Sequence, residues 1–331
     1  MNFGIIGLGN QGKLHLQNII INKELTVVAV ADTSKSALKY ATEMGVKKTY
    51  VNYEDLLRDD KVDAVIINLP NYLHLESATK AAEAGKNILL EKPLASRLDD
   101  GEKIVLSVEK NDVKLMLGYS LRFDPLFRDL REKIHTGYFG EIEIAEAANI
   151  SNGPFSGQAD RMGPVPVANW WFDKELVGGG ALMDLGIHMV DLLVWYFGEV
   201  ESASSYLGYN FNMSAEDAAT CIIKFKNGPL AVVNAGWFSM GHLTSITLSG
   251  TSRSISTIFP PKQSRLRFIW NDLKSIVGWR ATNAASEELK YFADCINRDF
   301  EPSPSAKEGL LDLQIISMAY AHSSVLSRRN L

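Results

Sequence analysis

The 331-residue chain predicts an α/β protein: an N-terminal doubly wound parallel sheet, then an α+β domain with an open, mostly antiparallel sheet. Three observations carry this. The first 120 residues or so alternate short β-branched runs with amphipathic helical runs, the rhythm of βαβ units. Strand runs such as 62–69 and 87–90 are apolar on both faces, as parallel strands covered by helices are. After Gly198 the pattern changes to period-2 runs separated by turns.

In order, strands are expected at 3–7, 27–32, 64–69, 87–91 and 114–118, with helices at 12–22, 34–44, 53–59, 74–84 and 99–111 between them. Gly45 and Gly85 stand as helix stops. From residue 122 come helical patterns at 124–136 and 181–197, joined across a Gly/Pro/Asn-rich loop at 151–168. An irregular stretch of that length is usually functional or mobile. Strands follow at 200–209, 217–226, 229–239 and 243–249, and Asn227-Gly228 marks a hairpin. Helices close the chain at 284–298 and 306–328, split by Pro302 and Pro304. The domain boundary is placed between 121 and 122, giving domains 1–121 and 122–331.

Net charge is −5, from 34 basic and 39 acidic residues with no basic tract, which argues against nucleic acid or an anionic membrane as partner. Two distant cysteines, Cys221 and Cys295, speak against a disulfide framework and for a reducing, cytoplasmic setting. The N-terminus reads as a first strand rather than a signal peptide. The apolar run 181–197 is broken by Asp184, His188 and Asp191, so no membrane span is expected.

Four motifs carry chemistry. Gly7-Leu8-Gly9-Asn10-Gln11-Gly12 follows the first strand and opens the first helix, where glycines let the backbone turn and approach a pyrophosphate. Asp32, twenty residues after Gly12, ends the second strand where a carboxylate would bind ribose hydroxyls. That acid favours NAD, and Lys35 keeps NADP open by offsetting its repulsion of a 2′-phosphate. Pro70, Asn71 and His74 follow the third main strand, at the end of the sheet that lines a ligand crevice. His74 has two readings there, a ligand contact or a helix-start side chain satisfied by backbone. Glu91-Lys92-Pro93 ends the next strand, and the Lys92 ammonium suits stabilisation of developing negative charge on a substrate oxygen. Finally, Gly178-Gly179-Gly180 opens an apolar helix with Asp184, His188 and Asp191 on one narrow stripe, at ~100° per residue. That stripe is either a held proton-transfer group or a set of satisfied core polars.

Gly7-x-Gly9-x-x-Gly12-x-x-His15, Pro70-Asn71-x-x-His74, Ala84-Gly85-Lys86-Asn87 leading to Glu91-Lys92-Pro93, and Gly178-Gly179-Gly180-x-x-x-Asp184-x-x-x-His188-x-x-Asp191 occur in this order. Over nearly its whole length the chain thereby resembles the glucose–fructose oxidoreductase/inositol dehydrogenase/rhizopine-catabolism (Gfo/Idh/MocA) oxidoreductases. The resemblance implies an N-terminal Rossmann domain, a C-terminal domain with a large open sheet, a tightly held nicotinamide cofactor and a catalytic group formed by the residues matching Lys92, Asp184 and His188. It also implies that Arg122, just past the last Rossmann strand, touches substrate or cofactor. Leu69 departs from the Thr or Ser often found before the Pro-Asn, a departure that bears on one cofactor contact and not on the family assignment.

The functional expectation is a dehydrogenase acting on a secondary alcohol of a sugar, polyol or nucleotide-sugar. His188 is the general base, Asp184 orients it or holds an adjacent hydroxyl, and Lys92 binds the reacting oxygen. Cofactor contacts are assigned to Gly7, Gly9, Asn10, Gln11, Gly12, Asp32, Pro70, Asn71, His74, Glu91 and Lys92. Substrate contacts are assigned to Lys92, Arg122, Arg161, Trp170, Asp184 and His188, and no metal is called for. Alternatives are an NAD-dependent redox–elimination glycosidase and a non-catalytic NAD(P)-binding sensor. A homodimer or homotetramer is expected through the second sheet, whose outward side chains are read as Val232, Ala235 and Trp237 beside Ile222 and Phe225.

Overall fold

The computed structural model describes residues 1–155, 169–211, 213–239, 242–259 and 284–326. Arg161 and most of the 151–168 loop lie outside the described residues. The chain divides into two compact units, Met1–Asp124 with Asn283–Leu313, and Pro125–Thr282 with Gln314–Leu331.

The first unit opens with β1 (Asn2–Ile6), α1 (Asn10–Ile21), β2 (Thr26–Ala31), α2 (Lys35–Glu43), β3 (Lys48–Tyr50) and α3 (Tyr53–Leu57). It continues with β4 (Ala64–Ile67), α4 (His74–Glu83), β5 (Asn87–Leu90), α5 (Leu98–Lys110) and β6 (Leu115–Leu117). The second unit carries α6 (Pro125–His135), β7 (Ile142–Ile150), α7 (Lys174–Val177) and a π-helical segment, Leu182–Gly186, running into α8 (Ile187–Phe197). Its strands are β8 (Val200–Gly208), β9 (Ala218–Phe225), β10 (Leu230–Gly236), β11 (Leu243–Gly250) and β12 (Ser254–Phe259). Helix α9 (Ala284–Asn297) belongs to the first unit, the division falls within α10 (Ala306–Ala321), and β13 (Ser323–Val325) follows.

The first sheet has the order β3-β2-β1-β4-β5-β6, with every pairing parallel. Strand order reverses between β1 and β4, and in such sheets ligands bind beyond the carboxyl ends of the strands at this point. Gly7, Asp32, Asn68 and Glu91 each follow one of the central strands at that end. β4 and most of β5 are fully buried, which is why their sequences are apolar without alternation.

The chain returns to this unit after the second sheet, whereas the sequence placed everything past 121 in the other domain. The reason is the apolar face of α9: Leu289, Phe292 and Ala293 join Phe3, Ile5 and Leu16 in one core cluster. The Phe292 ring centroid lies 6.5 Å from that of Phe3. Burying a side chain of this size contributes about 1.5–3 kcal/mol, which holds the returning helix in place. The Leu117 N–H also donates to Pro304 O at 3.0 Å.

The second sheet has the order β12-β11-β7-β10-β9-β8-β13. Pairs β7–β10 and β8–β13 are parallel and the other four antiparallel. Alternation fixes its two faces. Ala231, Val233 and Ala235 of β10, with Cys221, Ile223 and Phe225 of β9, are buried. Val232 and Ile222, paired across the strands, belong to the opposite face. The expected set of outward residues therefore needs correction: Phe225, Ala235 and Trp237 are buried, because residues of opposite parity cannot share a face. The exposed face instead adds Ile144, Tyr206, Leu230 and Ile258 to Val232 and Ile222.

Both cysteines are free and buried, and burial pushes the Cys221 thiol up to about 12. The stretch Lys174–Phe197 is long and apolar enough to cross a membrane, but 78% of its window is buried within the fold.

Candidate functional site

In the first unit the site begins at the glycine turn. Gly7 has φ +85°, and a Cβ there would lie 2.7 Å from Asn68 O. A Cβ at Gly12 would lie 2.1 Å from Gly7 O, so α1 can start against the turn only with glycine. Gly9 differs, since nothing lies within 4 Å of a Cβ built on it. It is the N-cap of α1 with no side-chain cap, and the first turn has no acidic residue. The start of α1 therefore presents its amides and positive dipole end to an open face, the arrangement that receives a pyrophosphate. Asn10 and Gln11, exposed in that first turn, flank it.

Asp32 has two tasks. Its Oδ2 accepts the Leu8 N–H at 2.6 Å and its Oδ1 accepts the Ser34 N–H at 2.7 Å. The carboxylate thus ties the glycine turn to the end of β2. Each oxygen retains acceptor capacity for a ribose hydroxyl, because a carboxylate offers about four lone-pair sites. Lys35 is exposed at the start of α2. A cradle that a Cβ would fill, an uncapped helix start and an acid beyond the second strand together fit a dinucleotide.

His74 is fully buried. Its ring nitrogens lie 2.8 Å from Pro93 O and 2.9 Å from Leu69 O. Burial pulls its pKa below 6.5, against the pull of the two carbonyls and Glu91. The residue clamps the loop carrying half-buried Pro70 and Asn71 to the loop carrying Lys92, and the ligand-contact reading gives way to the backbone-satisfied one. Glu91 Oε1 lies 3.2 Å from His15 Nε2, an ion pair if the ring is protonated. That partner, on the inner face of α1, was visible only as a motif position. Lys92 is half-buried beside Glu91, past the end of β5.

Arg122 also changes role. It is 3% exposed, and its guanidinium donates to Glu308 Oε1 at 2.6 Å and Ser303 Oγ at 3.1 Å. Its charge, with these hydrogen bonds, holds the Glu308 carboxyl below its usual range against the effect of burial. Arg122 thus anchors the start of α10 from a buried position.

In the second unit the Asp184–His188 stretch is not a plain α-helix. Leu182–Gly186 is π-helical, with i→i+5 bonding that turns less per residue. The single stripe drawn at α-helical spacing therefore splits: Asp184 and His188 stay partly exposed, while Asp191 is buried at 1% exposure. Three side chains hold the widened turn. Trp237 Nε1 donates to Asp184 Oδ2 at 3.1 Å, and Asn149 Nδ2 donates to Leu185 O at 3.2 Å. At its start Glu216 Oε1 accepts the Leu182 N–H at 3.0 Å. No local pattern marks Trp237, Asn149 or Glu216, because each reaches the turn from a strand or loop distant in sequence. Trp170 stacks on Trp171 with ring centroids 4.6 Å apart, in a 3₁₀ turn (Asn169–Phe172). Both rings are partly exposed, so an aromatic surface is available there.

Residues 1–119 match the oxidoreductase family with an NAD-binding Rossmann fold, GFO_IDH_MocA, and residues 127–256 match the GFO/IDH/MocA C-terminal domain. Among characterised relatives, the chain is 27% identical over 331 residues to a myo-inositol 2-dehydrogenase from Thermotoga maritima, covering 95% of this chain and 93% of that one. It is 27% identical to a D-xylose 1-dehydrogenase [NADP(+)] from Haloarcula marismortui, covering 92% and 85%. The fold is that of the WlbA dehydrogenase from Bordetella pertussis, solved with NADH and UDP-GlcNAcA. That comparison has a TM-score of 0.81 at 24% identity, covering 97% and 95% of the two chains. The chain belongs to the Gfo/Idh/MocA oxidoreductases and is an NAD(P)-dependent dehydrogenase.

Proposed function

We propose that the protein oxidises a secondary alcohol of a sugar, inositol-like polyol or nucleotide-sugar, with NAD as the preferred cofactor. The observation that carries the reading is the pair Asp184 and His188: Asp184 lies within the π turn and His188 at the start of the α-helix that follows it, both partly exposed on a largely buried segment. π turns recur at functional sites, and a half-buried imidazole on so apolar a helix is a polar group that packing alone does not call for. Relatives named as a myo-inositol 2-dehydrogenase and a D-xylose 1-dehydrogenase support that substrate class.

Gly7, Gly9, Asn10, Gln11, Gly12 and Asp32 would hold the dinucleotide, with Pro70, Asn71, Glu91 and Lys92 beside its reactive end. When bound, the nicotinamide supplies the hydride acceptor. His188 takes the hydroxyl proton as general base, and its protonation at low pH removes activity. Asp184, steadied by Trp237, directs that imidazole or holds a neighbouring hydroxyl. Lys92 binds the reacting oxygen and favours loss of its proton. Trp170, with Arg161, is assigned to substrate selection. The subunit is proposed to assemble as a homodimer or homotetramer through the exposed sheet face bearing Ile144, Ile222, Leu230, Val232 and Ile258. A monomeric mass of 36.6 kDa by light scattering at micromolar concentration would refute the assembly.

The test of the chemistry is a panel of inositols, aldoses and UDP-sugars, assayed with NAD and NADP by absorbance of the reduced cofactor. His188→Ala and Asp184→Ala should each lower kcat by about 10²–10⁴-fold, with the double variant little worse than either. Lys92→Ala should bind NAD and lose turnover. Product formation without net reduced cofactor would move the reading to a redox–elimination cycle. An active His188→Ala enzyme would remove the assigned base.

A further inference from the structure

The scheme leaves unused a buried acid at the start of the π turn. Glu216 lies just before β9 and is 2% exposed. Its Oε1 accepts both the Leu182 N–H at 3.0 Å and the Tyr320 hydroxyl at 2.7 Å. Its main-chain carbonyl accepts the Ala181 N–H at 2.8 Å, and the Gly180 N–H donates to the Tyr320 oxygen at 3.3 Å. Three successive amides at the head of the helix, which have no partner within a helix, are thus taken by one acid and one phenol. The approach is close enough to demand glycine, since a Cβ at Gly180 would lie 1.9 Å from Glu216 O. Burial pushes the Glu216 carboxyl up, while the Tyr320 hydroxyl and the Leu182 amide oppose that shift.

The place of the clamp matters more than its strength. Asp184 follows Leu182 by two residues and His188 by six, and the Asp184 N–H donates to Gly180 O at 2.9 Å. A π segment is a wider turn than the helix that follows it, so its rotation is set by what grips its ends. Asn149 grips the far end at Leu185 O, and Glu216 with Tyr320 grips the near end.

We propose that Glu216 is a positioning residue of the dehydrogenase: with Tyr320 it fixes the rotation and height at which the π turn presents Asp184 and His188. The inference rests on the reading of His188 as the base. A purely structural buried acid predicts that its loss lowers melting temperature alone. A positioning acid predicts that the folded enzyme, assayed well below its melting temperature, loses kcat. Displacing a catalytic group by about 1 Å can cost on the order of 10²-fold, so Glu216→Ala should lower kcat by about 10–100-fold with NAD affinity unchanged. Glu216→Gln keeps an oxygen for the Leu182 amide and should recover most of that loss. Tyr320→Phe removes the bond to Glu216 and the one from the Gly180 N–H but leaves Glu216 on the Leu182 amide, and should fall between them.

Two measurements make the outcome decisive. In an Asp184→Ala/His188→Ala background, adding Glu216→Ala should lower the residual rate no further, because both groups it positions are gone. The second needs no substrate: the chain has six histidines, and in histidine-labelled protein the His188 ring resonances are assigned by their loss in His188→Ala. They should move in Glu216→Ala and return towards the parent position in Glu216→Gln. A fully active Glu216→Ala enzyme, or unmoved His188 resonances, would overturn the proposal while leaving His188 as base. If Glu216→Ala does not fold, Tyr320→Phe and Glu216→Gln are read by the same two measurements. A His188→Ala enzyme of normal activity would instead overturn the functional reading beneath it.

Discussion

The two glycine turns use one device for opposite ends. Each lets a neighbouring group come against the start of a helix. At Gly9 the helix start is uncapped and nothing stands within 4 Å of a built Cβ. At Gly180 that space is taken by Glu216, and at Gly179 the Tyr320 hydroxyl would lie 2.2 Å from a Cβ. The amides at Gly9 face outward for an anion that arrives with a ligand. Those at Gly180 are already paired with an acid from the chain itself. A glycine run in a sequence announces a close approach; its tertiary partner decides whether the visitor is foreign.

Substituting alanine in each turn should break the pair in opposite ways. Gly180→Ala places a methyl 1.9 Å from a main-chain oxygen that cannot step aside. It should cost about 3 kcal/mol of stability, seen in urea unfolding. Gly9 has φ −67°, a conformation alanine adopts freely. Gly9→Ala should therefore unfold within about 1 °C of the parent while binding NAD some 10–100-fold more weakly, because the methyl fills the space of the pyrophosphate. Equal loss of stability in both variants would collapse the distinction.

How much of this was legible in sequence also divides between the two turns. Around Gly9 nearly all of it was, because the relevant neighbours (Gly7, Gly12 and Asp32) come from adjacent βα units in order. Around Gly180 the pair Asp184 and His188 was legible but their setting was not. The π geometry and the grips of Asn149, Glu216, Trp237 and Tyr320 come from elements 34 to 140 residues away. Central strand β7 escaped notice for a related reason. Its Ala/Glu-rich sequence has little intrinsic strand preference, and its pairing with β10 and β11 overrides that. His74 and Arg122 were identified as polar residues in notable places, but composition could not tell a ligand contact from a side chain consumed by its own loops.

The next effect in size concerns cofactor choice on the open side. Asp32 serves the Leu8 and Ser34 amides at the end of β2, so the carboxylate proposed to meet the ribose is held in place. Asp32→Ala should weaken NAD binding about tenfold or more, as expected for losing a hydrogen bond to a charged group, and narrow the preference over NADP. Tighter NADP than NAD binding by the parent protein would show that Lys35 outweighs Asp32.

The smallest expected effect tests whether the open side also conceals a closed, self-satisfied acid. Glu288 on α9 is 1% exposed, and its Oε1 has no hydrogen-bond partner among the described residues. Burial, and after it the charge of Glu91, holds the Glu288 carboxyl well above 4.5. The folded state therefore binds this proton more tightly than the unfolded chain does. The resulting stability is complete below about 4.5 and is lost as pH rises from there towards the folded-state value. Glu288→Gln removes the titration while keeping the shape and an uncharged head group. It should raise the melting temperature by about 2–4 °C at pH 8 and leave it unchanged at pH 4.5. Since Glu91 is the charged neighbour, Glu91→Gln should shrink the gain. A melting temperature lowered equally at both pH values would mean that Glu288 works as a carboxylate, and that the acid behind the Glu91–Lys92 turn is paired after all.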